Sequence, residues 1–268
     1  GAVDYIYKPI DRTILVSRVK SALRSKEDLD RIKELNKELH QKKQELSSFS
    51  HTVSHDLKSP IVGAASLYDF FLYRIKNEFP QIIEDEGLKE LLERIPQTFT
   101  KMLDFINTQL DYAEAGQVIG ELESVPMDRI INAVIENFEY AEQEGIAYFS
   151  KLPDMPEARC DPIRILKVWQ NMIANSIKFR DTKNPVRIKF GGEESRDTVK
   201  FWIRDNGPGI IAEHQDKVFE TNARLNYDVE GYGFGLATVK KVIAAHGGNI
   251  WIDSEVKDGA RFVFELPR

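Results

Sequence analysis

The sequence predicts a chain in two parts, a helical half followed by an α+β layer, and three observations carry that prediction. Residues 12–59 contain no glycine or proline. Ile32, Leu35, Leu39, Leu46, Phe49 and Val53 recur in steps near three and four, the spacing of a helical seam. After Gly120 the texture changes to short alternating segments such as VRIKF and TVKFWIRD, which read as strands.

Asp11 stands where a helix N-cap would sit before the uninterrupted run. At 1.5 Å per residue the run makes roughly 70 Å of rod, more than a small domain covers, so a parallel homodimer is the expected partner. Lys42 interrupts the seam. NEFPQIIEDEG, residues 77–87, carries turn residues, and a second helix is expected from Leu88 to about Gly116. Its stripe of Leu92, Ile95, Phe99, Met102, Ile106 and Leu110 is core packing, with a local bend at Pro96. Two such hairpins would bury their stripes in a four-helix bundle. Beyond Gly120 the pattern predicts helices over 127–145, 162–179 and 234–246, a short strand near Tyr148, and a closing hairpin, NIWIDSEV with DGARFVFELP, turning at Lys257-Asp258-Gly259. Helices on one face of a mostly antiparallel sheet follow, in a layer of about 145 residues. The 162–179 helix should bury Leu166, Trp169, Ile173 and Ile177.

The composition excludes several functions. Of 268 residues 42% are apolar, enough for a core, and a formal charge of −6 leaves no broad basic surface for nucleic acid. One cysteine, Cys160, excludes an intramolecular disulfide and a cysteine-rich zinc site, and fits a reducing, cytoplasmic setting. No stretch reaches the length of a membrane span. The chain begins without methionine and is expected to be part of a longer protein.

Four blocks carry chemistry. In HTVSHDLKSPI, residues 51–61, His55 falls two places after the seam residue Val53 and should face solvent, with Asp56 beside it. A carboxylate holding one ring nitrogen fixes the tautomer and leaves the other as a nucleophile. His51, one turn earlier, is a second exposed histidine but is followed by Thr52. Pro60 removes a hydrogen bond from the carbonyl of residue 56 and loosens the helix there. In NMIANSIKF, Asn171, Asn175 and Lys178 share a face, which is either a solvated surface or a set of amide oxygens for a hard cation with an ammonium for phosphate. DNGPGI is either an ordinary turn or a site where Asp205 accepts from an exocyclic amine while Gly207 and Gly209 let backbone approach a flat ring. In GYGFGLATVKKV, Gly231, Gly233 and Gly235 open a helix whose amides suit a polyphosphate.

In this order the blocks resemble the H, N, G1 and G2 boxes of the sensor histidine kinases of two-component signalling, over residues 45 to 268. VFE with Phe219 resembles the F box, and Thr221 to Glu230 takes the place of the ATP lid. The last three boxes are shared with the gyrase and Hsp90 superfamily, whereas the H box is not. The resemblance implies a dimeric four-helix bundle followed by an α+β ATP-binding sandwich, with ATP and Mg²⁺ as cofactors. It makes His55 the phosphoacceptor with Asp56 as its base, Asn175 the Mg²⁺ ligand, Lys178 a phosphate contact and Asp205 the reader of the adenine amine. Asn171, Gly207, Gly209, Gly231, Gly233, Gly235 and Leu236 complete the implied nucleotide site, and Arg224 in NARL resembles an arginine on the γ-phosphate. The implied partner is a response-regulator receiver domain. Tyr232 stands where a small residue is usual and Phe234 where Leu or Ile is common, so the lid should pack differently; Ser59 replaces the usual Thr or Asn, which weakens the expectation of phosphatase activity. A scaffold that binds nucleotide without transfer, or a phosphatase-dominant regulator, is the alternative.

The opening GAVDYIYKPIDRTILVSRVKSALR resembles the last strand and helix of a receiver domain, with Lys8-Pro9 in the place of that fold's Lys-Pro pair; the other reading is an expression scar plus an ordinary helix. The expected division is a receiver remnant over 1–25, a coiled-coil helix over 26–45, a dimerisation and phosphotransfer hairpin over 46–120, and a catalytic ATP-binding domain over 121–268.

Overall fold

The computed structural model describes residues 12–79, 81, 85–116, 121–223, 231–256 and 258–268. The receiver-like strand, the Asp11 cap, Lys257 of the closing turn and most of the lid, with Arg224, lie outside the described residues. The chain divides into two compact units, Gly1–Val53 and Ser54–Arg268.

Helix α1 covers Arg12–Glu78 and continues through Pro60. In the first unit its seam residues are uncovered: Ile32, Leu35, Leu39 and Phe49 are each more than half exposed. An apolar stripe of this length left in water has no stabilising role in a single chain.

In the second unit, the last part of α1 and helix α2 (Glu86–Glu114) form a hairpin. Asp85 caps α2, its side chain accepting from Leu88 N at 2.8 Å. Pro96 lies inside α2 and has no N–H for the carbonyl of Leu92. Tyr68 on α1 supplies the missing donor, its hydroxyl bonding Leu92 O, while its ring meets Phe99 edge-on at 6.4 Å. Of the predicted stripe, Leu92 and Ile106 are buried, whereas Ile95 and Met102 remain exposed.

The α+β layer contains β1 (Glu123–Pro126), α3 (Met127–Glu136), α4 (Glu139–Gln143), β2 (Ala147–Lys151), β3 (Glu157–Cys160), α5 (Pro162–Lys178), β4 (Val186–Glu194), β5 (Thr198–Arg204), α6 (Gly235–Ala245), β6 (Asn249–Ile252) and β7 (Arg261–Pro267). The five-stranded sheet runs β2-β4-β5-β7-β6, antiparallel except for the β2–β4 pair. A separate two-stranded sheet pairs β1 with β3. Alternation places Ile188 and Phe190, Phe201 and Ile203, and Phe262, Phe264 and Leu266 inward, all buried. Trp169 of α5 is the centre of this core: fully buried, it donates Nε1–H to Met127 Sδ at 3.2 Å and meets Phe190 and Phe264 at 5.7 and 5.2 Å between ring centroids.

Two expectations are corrected. The helix over 127–145 is broken into α3 and α4 at Asn137 and Phe138, where Phe138 takes a non-helical ψ of 15°. On α5, Leu166 and Ile177 are only half-buried, while Ile165, Val168, Met172 and Ser176 are buried with Trp169 and Ile173. This helix packs on the sheet and also against α3 and α6, which widens its inward face beyond one stripe. Asp161 caps it, accepting from Ile163 N and Arg164 N, and its own N–H donates to His246 Nε2 at 3.1 Å. His246 Nδ1 faces Val242 O at 2.8 Å, so the ring carries its proton on Nδ1 and clips the end of α6 to the start of α5. Cys160 is fully buried, and burial pushes its thiol up to about 12.

Candidate active site

Helix α5 presents one face to the glycine loop. Asn171 donates Nδ2 to Lys167 O at 2.9 Å, which turns its carbonyl oxygen outward. That oxygen lies 3.0 Å from where a Cβ on Gly235 would stand, and Asn175 Nδ2 lies 3.8 Å from the same point. A Cβ on Gly231 would overlap Lys178 Nζ, and one on Gly233 would lie 2.8 Å from backbone of Asn222. Gly231 and Gly233 have φ of 150° and 73°, a region that side chains avoid. The loop can therefore settle onto the Asn171, Asn175, Lys178 row because Gly231, Gly233 and Gly235 present no side chains to it. Gly235 opens α6, whose N-cap Phe234 offers no side-chain acceptor to the first-turn amides, and Leu236 packs half-buried against the core.

Asp205 follows β5 and is buried. Oδ1 accepts from Gly207 N at 2.9 Å and Ala260 N at 3.1 Å, and Oδ2 accepts from Ser176 Oγ at 3.0 Å. Its backbone N–H also donates to Ala260 O at 2.9 Å. Gly259, with φ 90°, lies so close to the Asp205 carbonyl that a Cβ would overlap it, and a Cβ on Gly209 would stand 3.0 Å from Gly259 O. The carboxylate is thus fixed by three donors, with Ser176, Gly259 and Ala260 as partners that sequence reasoning missed. A polar residue immediately after Asn175, on the inward side of a helix, was the available signal.

His55 and Asp56 lie on α1 with side chains 77% and 72% exposed, and His55 Nδ1 is 3.3 Å from Asp56 Oδ1. A carboxylate accepts only, so Nδ1 carries the proton of the neutral ring and Nε2 keeps its lone pair. Ser59 is exposed. Among the described residues no cluster of three or more His, Cys, Asp or Glu could hold a metal. The donors here that suit a hard cation are instead the amide oxygens of Asn171 and Asn175, which would share it with ligand oxygens.

The same unit brings the α+β layer onto α2. Arg164, buried, lies 3.7 Å from Glu114, Lys167 pairs with Asp111, and Lys241 donates to Tyr112 O at 3.0 Å with its ammonium 3.9 Å above the Tyr112 ring. Phe234 meets Tyr112 at 5.3 Å, Tyr232 meets Phe105 edge-on at 5.0 Å, and the Tyr232 hydroxyl donates to Lys101 O. Both aromatic departures in the glycine loop are spent on this helix.

Residues 160–268 match the family of histidine kinase-, DNA gyrase B-, and HSP90-like ATPases. The chain is 32% identical over 241 residues to cyanobacterial phytochrome B of Nostoc sp. strain PCC 7120, covering 88% of this chain and 31% of that protein. It is 30% identical over 230 residues to the methanogenesis regulatory histidine kinase FilI of Methanothrix harundinacea, covering 86% of this chain and 25% of that one. It thus spans a quarter to a third of the length of these relatives. Full-length ShkA in complex with AMPPNP superposes with a TM-score of 0.62 at 21% identity, covering 83% of this chain and 46% of that one. Histidine kinase ThkA in complex with response regulator protein TrrA gives 0.55 at 22%, covering 85% and 64%. At these identities the two structures speak for the fold. No described helix is long and apolar enough to cross a membrane. Residues 160–268 thus carry an ATPase domain of the histidine kinase, DNA gyrase B and HSP90 type, and over most of its length the chain is similar to a named histidine kinase.

Proposed function

We propose that this chain is a kinase core that phosphorylates its own His55 from ATP and passes the phosphoryl group to an aspartate of a separate response-regulator receiver domain. The observation that carries the reading is the exposed His55 ring, held at Nδ1 by Asp56 with Nε2 open to solvent. Nε2 attacks the γ-phosphorus; the N–P bond forms as the bond to the bridging oxygen breaks, and ADP leaves. Asp56 stabilises the positive charge that develops on the imidazole. In the second step the N–P bond breaks and an acyl phosphate forms on the partner's aspartate.

Asp205 would read the adenine amine, Lys178 and the amides of the 231–235 loop would hold phosphates, and Asn175 would ligate Mg²⁺, whose role is to neutralise phosphate charge. Positioning and charge neutralisation supply the rate. With ATP as donor the reaction belongs in the cytoplasm. The bare seam on α1 and the exposed Ile95 and Met102 on α2 support a homodimer, whose bundle would cover them. The segment division 1–25, 26–45, 46–120 and 121–268 is retained as part of this reading.

The test is incubation with γ-labelled ATP and Mg²⁺. An acid-labile, alkali-stable label is expected, lost in His55→Gln and kept in His51→Gln. Label that persists in His55→Gln overturns the assignment, and tight nucleotide binding without label favours the scaffold reading.

A further inference from the structure

We propose that Tyr232 is a positioning residue that ties the glycine loop to α2 at the level of His55, setting the rate of phosphoryl transfer without setting nucleotide affinity. This deepens the kinase reading and rests on it. The level follows from the hairpin. Tyr68 on α1 reaches both Leu92 and Phe99 on α2, so its level on the antiparallel helix is close to residue 95. His55 lies about 13 residues before Tyr68, which places it across from the neighbourhood of Thr108. The loop grips α2 on either side of that level: Tyr232 at Lys101 and Phe105, about one to two turns to one side, and Phe234 at Tyr112, about one turn to the other.

The backbone makes the grip possible. Tyr232 sits between Gly231 and Gly233, both at positive φ, so its side chain leaves the loop toward α2 while the loop itself lies on Lys178. Phe105 takes the Tyr232 ring against its edge and is still 43% exposed. A small residue at position 232 would leave the loop resting on Lys178 and the Asn171, Asn175 row, but would release it from Lys101 and Phe105 and leave Phe234 at Tyr112 as its hold on α2. Affinity and positioning are therefore separable, because in the proposed site the loop would meet nucleotide through its backbone amides, whereas it meets α2 through the side chains of Tyr232 and Phe234.

Tyr232→Thr, Tyr232→Phe, Phe105→Ala and the Tyr232→Thr/Phe105→Ala double variant are compared in the intact chain. Three quantities are read: labelling rate at saturating ATP, affinity for a fluorescent ATP analogue, and amide exchange over residues 101–112. Tyr232→Thr should slow labelling about tenfold with affinity within about twofold of wild type. Tyr232→Phe, which keeps the ring, should recover most of the rate. The double variant should be no slower than Tyr232→Thr alone, since both changes remove one contact. An unchanged or faster rate in Tyr232→Thr, or a parallel loss of affinity, overturns the proposal. A wild-type chain that takes no label defeats the kinase reading instead; the tie is then judged by exchange, supported if the 101–112 amides loosen in Tyr232→Thr and overturned if they do not.

Discussion

Asp205→Asn separates a residue that reads a ligand from one that only holds a turn. In the native site Oδ1 takes two backbone N–H groups, at 2.9 and 3.1 Å, and Oδ2 takes the Ser176 hydroxyl at 3.0 Å. An asparagine placing its carbonyl oxygen at Oδ1 keeps both backbone bonds. Its amide nitrogen then stands at Oδ2 and donates to Ser176 Oγ, which accepts as readily as it donates. The fold should lose no more than about 1 kcal/mol, because every buried polar atom still has a partner. The ligand-facing edge, however, changes from acceptor to donor. An exocyclic amine there loses a charge-assisted bond worth about 1.5–3 kcal/mol, so ATP affinity should fall roughly 10- to 150-fold. Guanine presents an oxygen at that position, so the preference for ATP over GTP should narrow in the same variant. Displacement of a fluorescent nucleotide by ATP and by GTP, beside a urea melt of each protein, gives both quantities. Unaltered ATP affinity, or an affinity loss matched by a collapse in stability, would refute the reasoning.

Tyr68→Phe should destabilise the hairpin by about 1–3 kcal/mol by leaving the Leu92 carbonyl unpaired, and Pro96→Ala, which restores an N–H to that carbonyl, should remove most of the cost; additive urea-melt effects would contradict the pairing. Cys160, its thiol raised to about 12 by burial, should resist a disulfide exchange reagent at pH 8 until urea is added. Because the folded value lies above the ordinary 9.0, its stabilising contribution is whole below pH 9 and is lost as pH rises toward 12, so the wild type should lose stability in that interval faster than Cys160→Ala.

The parts of the fold that could be read in advance are those whose burial is one-sided. In TVKFWIR, Val199, Phe201 and Ile203 alternate with Lys200 and Trp202, and the strand is where that alternation placed it. The strands ESVP and EARC were not legible: four residues hold at most two inward positions, too few to show a period. The break between α3 and α4 was equally hidden, since neither Asn137 nor Phe138 is a residue that forbids helix. On α5 a single stripe was the wrong template, because a helix flanked by two others and a sheet buries more than one stripe.

Within the candidate site, the residues singled out are legible by type and the groups that hold them are not. His55, Asn175 and Asp205 announce themselves by residue type, whereas the partners that aim them are ordinary in sequence. Ser176 shows why that matters. It follows Asn175, so the two side chains leave α5 about 100° apart. In the proposed reading one serves the phosphate end of a nucleotide and the other fixes, through Asp205, its purine end. A rigid helical turn therefore sets the distance between the two recognition points. Gly259 guards the same distance from the other side, because any Cβ there would push the Asp205 carbonyl off its place. In that reading the chemistry is written in a few polar residues, but the spacing that would make them one site is held by a serine and a glycine with no chemistry of their own.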